Sequence, residues 1–242
     1  MSETSSAYDL RNAMTEAGCP ICRLKARDGE RYLDSLLDES VNDSDVRRDL
    51  RESRGFCHRH AWQLVRPGAP LGIAIIHRDI VQALLKALEG ASFQKPPLIS
   101  VQRLHEAVDA QEPAAATAGL VERLGPRQAC PACRLEEKME GIYLGTLVEN
   151  LVGEQSLLEG FKSSAGLCLP HLRQALALVR DRAVFEALVG AQRDIWRRLE
   201  ADLGEFIRKS DYRFHGEPLE VEGDAWLRGI AAVSGDGTEV GT

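Results

Sequence analysis

Aromatic residues make up only 5% of this 242-residue chain, and no basic excess is present: 30 Lys and Arg stand against 37 Asp and Glu, a formal charge of −7. The first shortage removes the stacking platforms on which single strands are held. The second removes the electrostatic footprint of a general nucleic-acid binder, so none is expected. Long apolar runs are missing as well. The longest, Leu71 to Ile76, falls far short of the roughly 20 residues that a membrane helix needs. The opening residues, Met1-Ser2-Glu3-Thr4-Ser5-Ser6, carry neither a basic cluster nor an apolar stretch. The expectation is therefore a cytoplasmic protein with no secretory signal and no membrane contact. Phosphate-binding glycine loops, the His-Glu-x-x-His pair and the Gly-x-Ser-x-Gly elbow are all absent, so nothing in the sequence marks an enzyme.

What the chain does have is 44% hydrophobic residues, enough for a real core, and an internal duplication. Cys19-Pro20-Ile21-Cys22-Arg23-Leu24 returns as Cys130-Pro131-Ala132-Cys133-Arg134-Leu135, 111 positions later. Gly55-Phe56-Cys57-His58-Arg59-His60 returns at the same shift as Gly166-Leu167-Cys168-Leu169-Pro170-His171. Residues 19–64 share 14 identities with 130–175, among them Tyr32 with Tyr143, Leu36 with Leu147 and Gln63 with Gln174. Arg78-Asp79-Ile80 matches Arg193-Asp194-Ile195 at a shift of 115, one helical turn more. The expected organisation is a first repeat over 1–95, a helical connection over 96–125, a second repeat over 126–230 and a disordered tail over 231–242.

The periodicity is helical throughout, and the fold class expected is all-α. Helices are predicted over 7–17, 20–38, 44–53, from Cys57 to Val65, and over 71–89. In the second copy the long counterpart runs from Ala183 to Ile207. Two short helices, 101–110 and 114–124, are expected in the connection. A strand is conceivable only at 97–101. Asp211-Tyr212-Arg213-Phe214-His215 is expected to pack the last long helix against the body.

All six cysteines fall inside the duplicated elements, so each copy reads Cys-x2-Cys-x34-Cys-x2-His. Three thiols per copy leave one without a disulfide partner, and the paired histidine points elsewhere. Cys-Pro-x-Cys at a helix start sets two sulfurs one turn apart beside the positive helix end. Cys-x-x-His on a helix places both groups on one face. Two such arms make a Cys3His tetrahedron, a closed structural zinc site with no seat for an activated water.

The metal-ligand candidates are therefore Cys19, Cys22, Cys57, His60, Cys130, Cys133, Cys168 and His171, holding two Zn2+ ions per chain. An iron–sulfur cluster is the alternative cofactor. The identical spacing predicts that each site closes within its own copy, Cys19 and Cys22 with Cys57 and His60; a swapped pairing is chemically equivalent. Each site carries a charge of about −1 once a divalent ion is bound. Arg23 and Arg134 stand where they could offset it or donate to sulfur. His58, His77, His105 and His215 are unrepeated and are expected to be surface or packing residues.

The twin Cys-Pro-x-Cys and Gly-[Phe/Leu]-Cys-x-x-His elements, followed by Asp211-Tyr212-Arg213-Phe214 and Trp226-Leu227-Arg228, resemble an uncharacterised bacterial family known only as a domain of unknown function. The resemblance runs from Cys19 to about Ile230 and implies that the eight Cys and His positions act together. The function expected is a zinc-stapled helical interaction or regulatory module with a protein partner. A thiol redox sensor or iron–sulfur carrier, and an enzyme using a groove between the repeats, are the competing readings.

Overall fold

The computed structural model describes residues 4–89, 91–92, 117–154, 156–214 and 216–237. Among these every regular element is helical, as the periodicity requires. No described helix is long and apolar enough to cross a membrane. The expected helix 101–110, the strand at 97–101, His105 and His215 lie outside the described residues.

Helix α1 is Ser5–Met14, opened by Thr4, whose hydroxyl accepts from the Ala7 amide. Helix α2 spans Pro20–Ser35 and continues as a π-helical turn, Leu36–Ser40. Then come α3 (Ser44–Glu52), capped by the Asp43 carboxylate, α4 (His58–Gln63) and α5 (Pro70–Glu89). Helix α6 is Ala118–Leu124, inside the expected 114–124 helix. The remainder are α7 (Pro131–Glu149), α8 (Leu158–Ser163), α9 (Leu169–Leu178), α10 (Arg182–Lys209) and α11 (Ala225–Ser234). Side-chain caps at Asp43 and Asp181 each accept two backbone amides and fix where α3 and α10 begin.

The chain divides into two compact units that cut across the sequence copies: Met1–Asp28 with Glu136–Thr242, and Gly29–Leu135. The boundary falls inside α2 and α7. In the first unit α10 packs on α8 and α11, α9 on α11, and α1 on α8. Its core gathers Leu10, Ile21, Leu24, Leu144, Leu147, Leu151, Phe161 and Leu188. Tyr143 is buried there too. Its hydroxyl donates to Asp28 Oδ2 at 2.7 Å and accepts from Arg27 Nη2 at 2.9 Å, so the one polar atom of the ring is satisfied.

The second unit has two smaller apolar clusters. One joins Leu36, Val41, Leu50, Ile76 and Ile80; the other joins Leu33, Leu64, Cys130 and Ala132. Helices α3 and α5 are tied by Asp79, which pairs with Arg51 at 2.5 Å and Arg47 at 3.3 Å. Burial works against the Asp79 carboxylate, but hydrogen bonds from Arg51 and Arg47 win and hold its pKa below the ordinary value. A depressed folded pKa gives stability that is present above the unfolded pKa and is lost as pH falls through the folded one. Asp79→Asn is therefore expected to cost about 1 kcal/mol or less at pH 7, since the arginines are partly solvated. The gap to the native protein, measured by urea unfolding, should begin to close as the pH approaches the carboxylate range near about 4.

One expectation needs correction. Residues 231–242 are not a disordered tail throughout: α11 reaches Ser234, and Asp236 Oδ2 accepts the Cys19 backbone amide at 2.9 Å. Phe214 lies under the Arg208 guanidinium of the last turn of α10, 4.8 Å from the ring centre, and Tyr212 is exposed.

Candidate metal centres

The eight candidate ligands sit on four helix N-termini. The carbonyls of Cys19, Cys57, Cys130 and Cys168 accept the amides of Arg23, Ala61, Arg134 and Leu172, the first bonds of α2, α4, α7 and α9. Each of these cysteines is thus the cap residue, and Cys57 and Cys168 have the extended backbone of a cap, with ψ of 167° and 160°. Cys22, His60, Cys133 and His171 follow three residues later. These are the two positions that face each other in a capping box. All four arms therefore share one local geometry, and the proline after Cys19 and Cys130 suits a first helical residue that needs no amide donor.

The glycine kept in both copies two residues before the third cysteine has a steric cause. Gly55 and Gly166 both have left-handed backbone, φ 89° and 71°. A Cβ on Gly166 would stand 2.9 Å from the Gln192 amide group. That side chain grips the intervening residue: Leu167 N donates to Gln192 Oε1 at 2.9 Å, and Gln192 Nε2 donates to Leu167 O at 3.0 Å. Buried Gln192 on α10 thereby fixes the approach to Cys168.

The arms meet in pairs drawn from different copies. Cys19 and Cys22 face Cys168 and His171 in the first unit, and Cys57 and His60 face Cys130 and Cys133 in the second; within each set the ligand atoms lie within 4.8 Å of one another. The within-copy pairing expected from the equal spacings is overturned, and the swapped one takes its place.

In the first centre His171 Nδ1 lies 3.1 Å from Cys168 Sγ and 3.4 Å from the sulfurs of Cys19 and Cys22, with Cys22 and Cys168 3.8 Å apart. In the second, His60 Nδ1 lies 3.2 Å from Cys57, 3.4 Å from Cys133 and 3.5 Å from Cys130, with Cys57 and Cys133 3.6 Å apart. A tetrahedron with zinc–sulfur bonds near 2.3 Å and zinc–nitrogen bonds near 2.0 Å has sulfur–sulfur edges of about 3.8 Å and sulfur–nitrogen edges of about 3.5 Å. The donor set and its edges fit one four-coordinate ion per centre. The six cysteines form no disulfide.

Protons are shared unevenly within each set. Burial, aided by Cys168 and Cys22, pushes the Cys19 thiol well up, while hydrogen bonds from Cys19 and Cys22 pull Cys168 down to about 3. In the second centre burial and the neighbouring Cys57 raise Cys133 to about 12; Cys130 falls to about 6 because the His60 hydrogen bond outweighs its burial. In each centre one thiol, Cys168 or Cys130, is thus favoured as thiolate while another, Cys19 or Cys133, keeps its proton more firmly. A divalent ion at the middle would displace those protons.

Glu140 adds a feature with no sequence signal. Its Oε1 lies 2.7 Å from His171 Nε2 and accepts from Gln174 Nε2 at 3.2 Å; Lys25 stands 3.7 Å from its other oxygen. A carboxylate behind a ligating histidine fixes the ring and makes the facing nitrogen a better donor to a metal. Gly29 occupies the equivalent place in the first copy, so the duplication could not reveal Glu140. Arg23 and Arg134 spend the hydrogen bonds they show away from sulfur. Arg23 pairs with Glu16 at 2.8 Å and donates to Ala17 O, and Arg134 pairs with Asp49 at 2.5 Å and donates to Gln128 at 2.7 Å. His58 packs its ring against Trp62, and His77 Nδ1 bonds the Ile73 carbonyl of its own helix. Neither joins a centre.

The model of a family of unknown function, DUF6062, matches residues 1–239, and the chain belongs to that family. A curated relative is an uncharacterized 23.9 kDa protein in the xynA 3′ region of Caldicellulosiruptor sp. (strain Rt8B.4). It is 25% identical over 228 residues, which cover 91% of this chain and 96% of that protein. No solved structure matches the chain.

Proposed function

We propose that this member of the DUF6062 family binds two zinc ions, and that its Cys3His centres are structural staples in a helical interaction module of the cytoplasm. The observation that carries the reading is the edge lengths of the two sets, which suit one tetrahedral ion each. Both sets supply three thiols and one imidazole, the donor softness that favours zinc over hard cations. Four protein ligands fill the coordination sphere, leaving no position from which bound water could be activated. A cluster of several irons would divide its protein ligands among different irons and spread them beyond the 4.8 Å within which all four ligand atoms of each set lie, which speaks against the iron–sulfur alternative.

The enzymatic reading gains little from the cavity of about 380 Å³ beside Cys19 and Cys168. Its wall carries Arg228 and Asp202, but these pair with each other at 2.9 Å, and Arg198 donates to the Lys162 carbonyl at 2.8 Å. Convergent groups aimed at a substrate are not among them.

Elemental analysis of the purified protein, with a visible spectrum recorded under reducing conditions, tests the zinc assignment. Two zinc equivalents and no colour are expected. Iron with visible absorption would replace zinc by the alternative, and metal-free protein with six freely reactive thiols would end the metal reading altogether.

A further inference from the structure

We propose that Asp236 is a positioning residue of the Cys19–Cys22–Cys168–His171 centre, and that the short segment after α11 is a latch which slows metal exchange there. The inference rests on the metal-binding reading above.

Three observations converge on it. The Asp236 carboxylate accepts the backbone amide of Cys19, across 217 residues, at 2.9 Å. That amide belongs to the cap residue of α2, so the bond fixes the backbone from which the Cys19 sulfur is aimed. Gly18 provides the seat. Its φ is 86°, and a Cβ there would stand 2.5 Å from Asp236 Oδ2 and 2.8 Å from Oδ1. Gly235 completes the approach, with φ of 92° and a place so close over the centre that a Cβ on it would meet Cys22 Sγ at 3.6 Å. Its own amide closes α11 on the Ala231 carbonyl at 2.9 Å. The last described residues thus leave α11 by a left-handed turn, pass over Cys22 and end in a hydrogen bond to Cys19.

Exchange of a four-coordinate ion requires one arm to open. The α2 arm is the one held by the latch, since Cys19 cannot rotate away while its amide is bound and Cys22 is covered on that side. Among the described residues the second centre shows no equivalent seat: Ala129 stands where Gly18 does relative to the first cysteine. The two centres should therefore differ in lability although their ligand sets are alike.

The test uses the zinc-loaded full chain and a chromogenic chelator in excess, after zinc content has been measured. Asp236→Ala, and a chain ending at Gly235 that keeps the α11 closure, should each release one of two equivalents about ten times faster or more, the scale found when groups supporting metal ligands are lost. Alkylation followed by mass spectrometry should show Cys19, Cys22 and Cys168 reacting faster, with Cys57, Cys130 and Cys133 unchanged. Asp236→Asn keeps an acceptor oxygen and should recover part of the native rate. Unchanged release in both variants, or equal acceleration of both equivalents, overturns the latch. A chain with two zinc ions and no such effect would refute the latch alone, while a chain without metal would refute the reading beneath it and the latch with it.

Discussion

Stripping both ions from the reduced protein at pH 7 is expected to remove its cooperative unfolding, with the Gly29–Leu135 unit failing first. The scale of the effect follows from the binding free energy of structural zinc, about 10–16 kcal/mol per site in small peptides. Whole domains are stable by only about 5–15 kcal/mol. Loss of one ion is thus comparable to the entire stability of the unit that holds it.

The units should not respond alike. In the first, the ligand arms contribute Cys19, Ile21, Leu24, Cys168 and Leu172, but the same cluster extends well beyond them to Leu10, Leu144, Leu151, Phe161, Leu188 and Ile195. In the second, Cys130 and Ala132 of the α7 arm themselves form one of the two apolar clusters, with Leu33 and Leu64. Releasing that arm opens part of the core. Limited proteolysis and hydrogen exchange of the chelated protein should therefore locate the earliest loss of protection between Gly29 and Leu135, with circular dichroism showing partial loss of helix. An unchanged melting transition after complete metal removal would refute the structural role.

Much of the centres was legible because their information is local. Cys-Pro-x-Cys and Gly-x-Cys-x-x-His each specify a cap, a helix start and a side chain one turn on, and the glycine requirement arises within a few residues of the ligand. The duplication then separated the paired Cys and His positions from incidental ones such as His58 and His77. The all-helical fold was legible for the same reason, since 3.6-residue periodicity is a local property.

Which arms meet is not local. From Cys19 the chain runs into α2, inside which the boundary between the two units falls. It then enters the α3–α5 packing held by Leu36, Leu50, Ile76 and Ile80. Cys19 and Cys57 thus belong to different units, and equal spacing in the two copies says nothing about that division. The supporting groups were hidden for another reason. Glu140 faces a glycine in the other copy, and Asp236 lies beyond the duplicated elements, so a search for repeated chemistry passes over both. These asymmetric additions are what distinguish the first centre from a bare ligand set.

The crossed pairing is expected to show itself in the metal content of double variants. Cys19→Ser and Cys168→Ser should each cost one equivalent, and the pair together should still cost only one, because both residues serve the same ion. Cys57→Ser with Cys133→Ser should behave likewise for the other ion. Combining Cys19→Ser with Cys57→Ser should leave none. Pairing within each copy would reverse the pattern: Cys19→Ser with Cys57→Ser would retain one ion, and Cys19→Ser with Cys168→Ser would lose both. Serine keeps the size of the side chain but is a poor zinc ligand, since the soft thiolate is gone. The local consequences should follow the same lines. Either Cys19→Ser or Cys168→Ser frees the N-termini of α2 and α9 together, and hydrogen exchange should rise around both in each variant. Protection around α4 and the start of α7 should stay as it was. Zinc measured per folded chain in the three double combinations decides the matter, because no single arrangement of two independent ions yields both patterns.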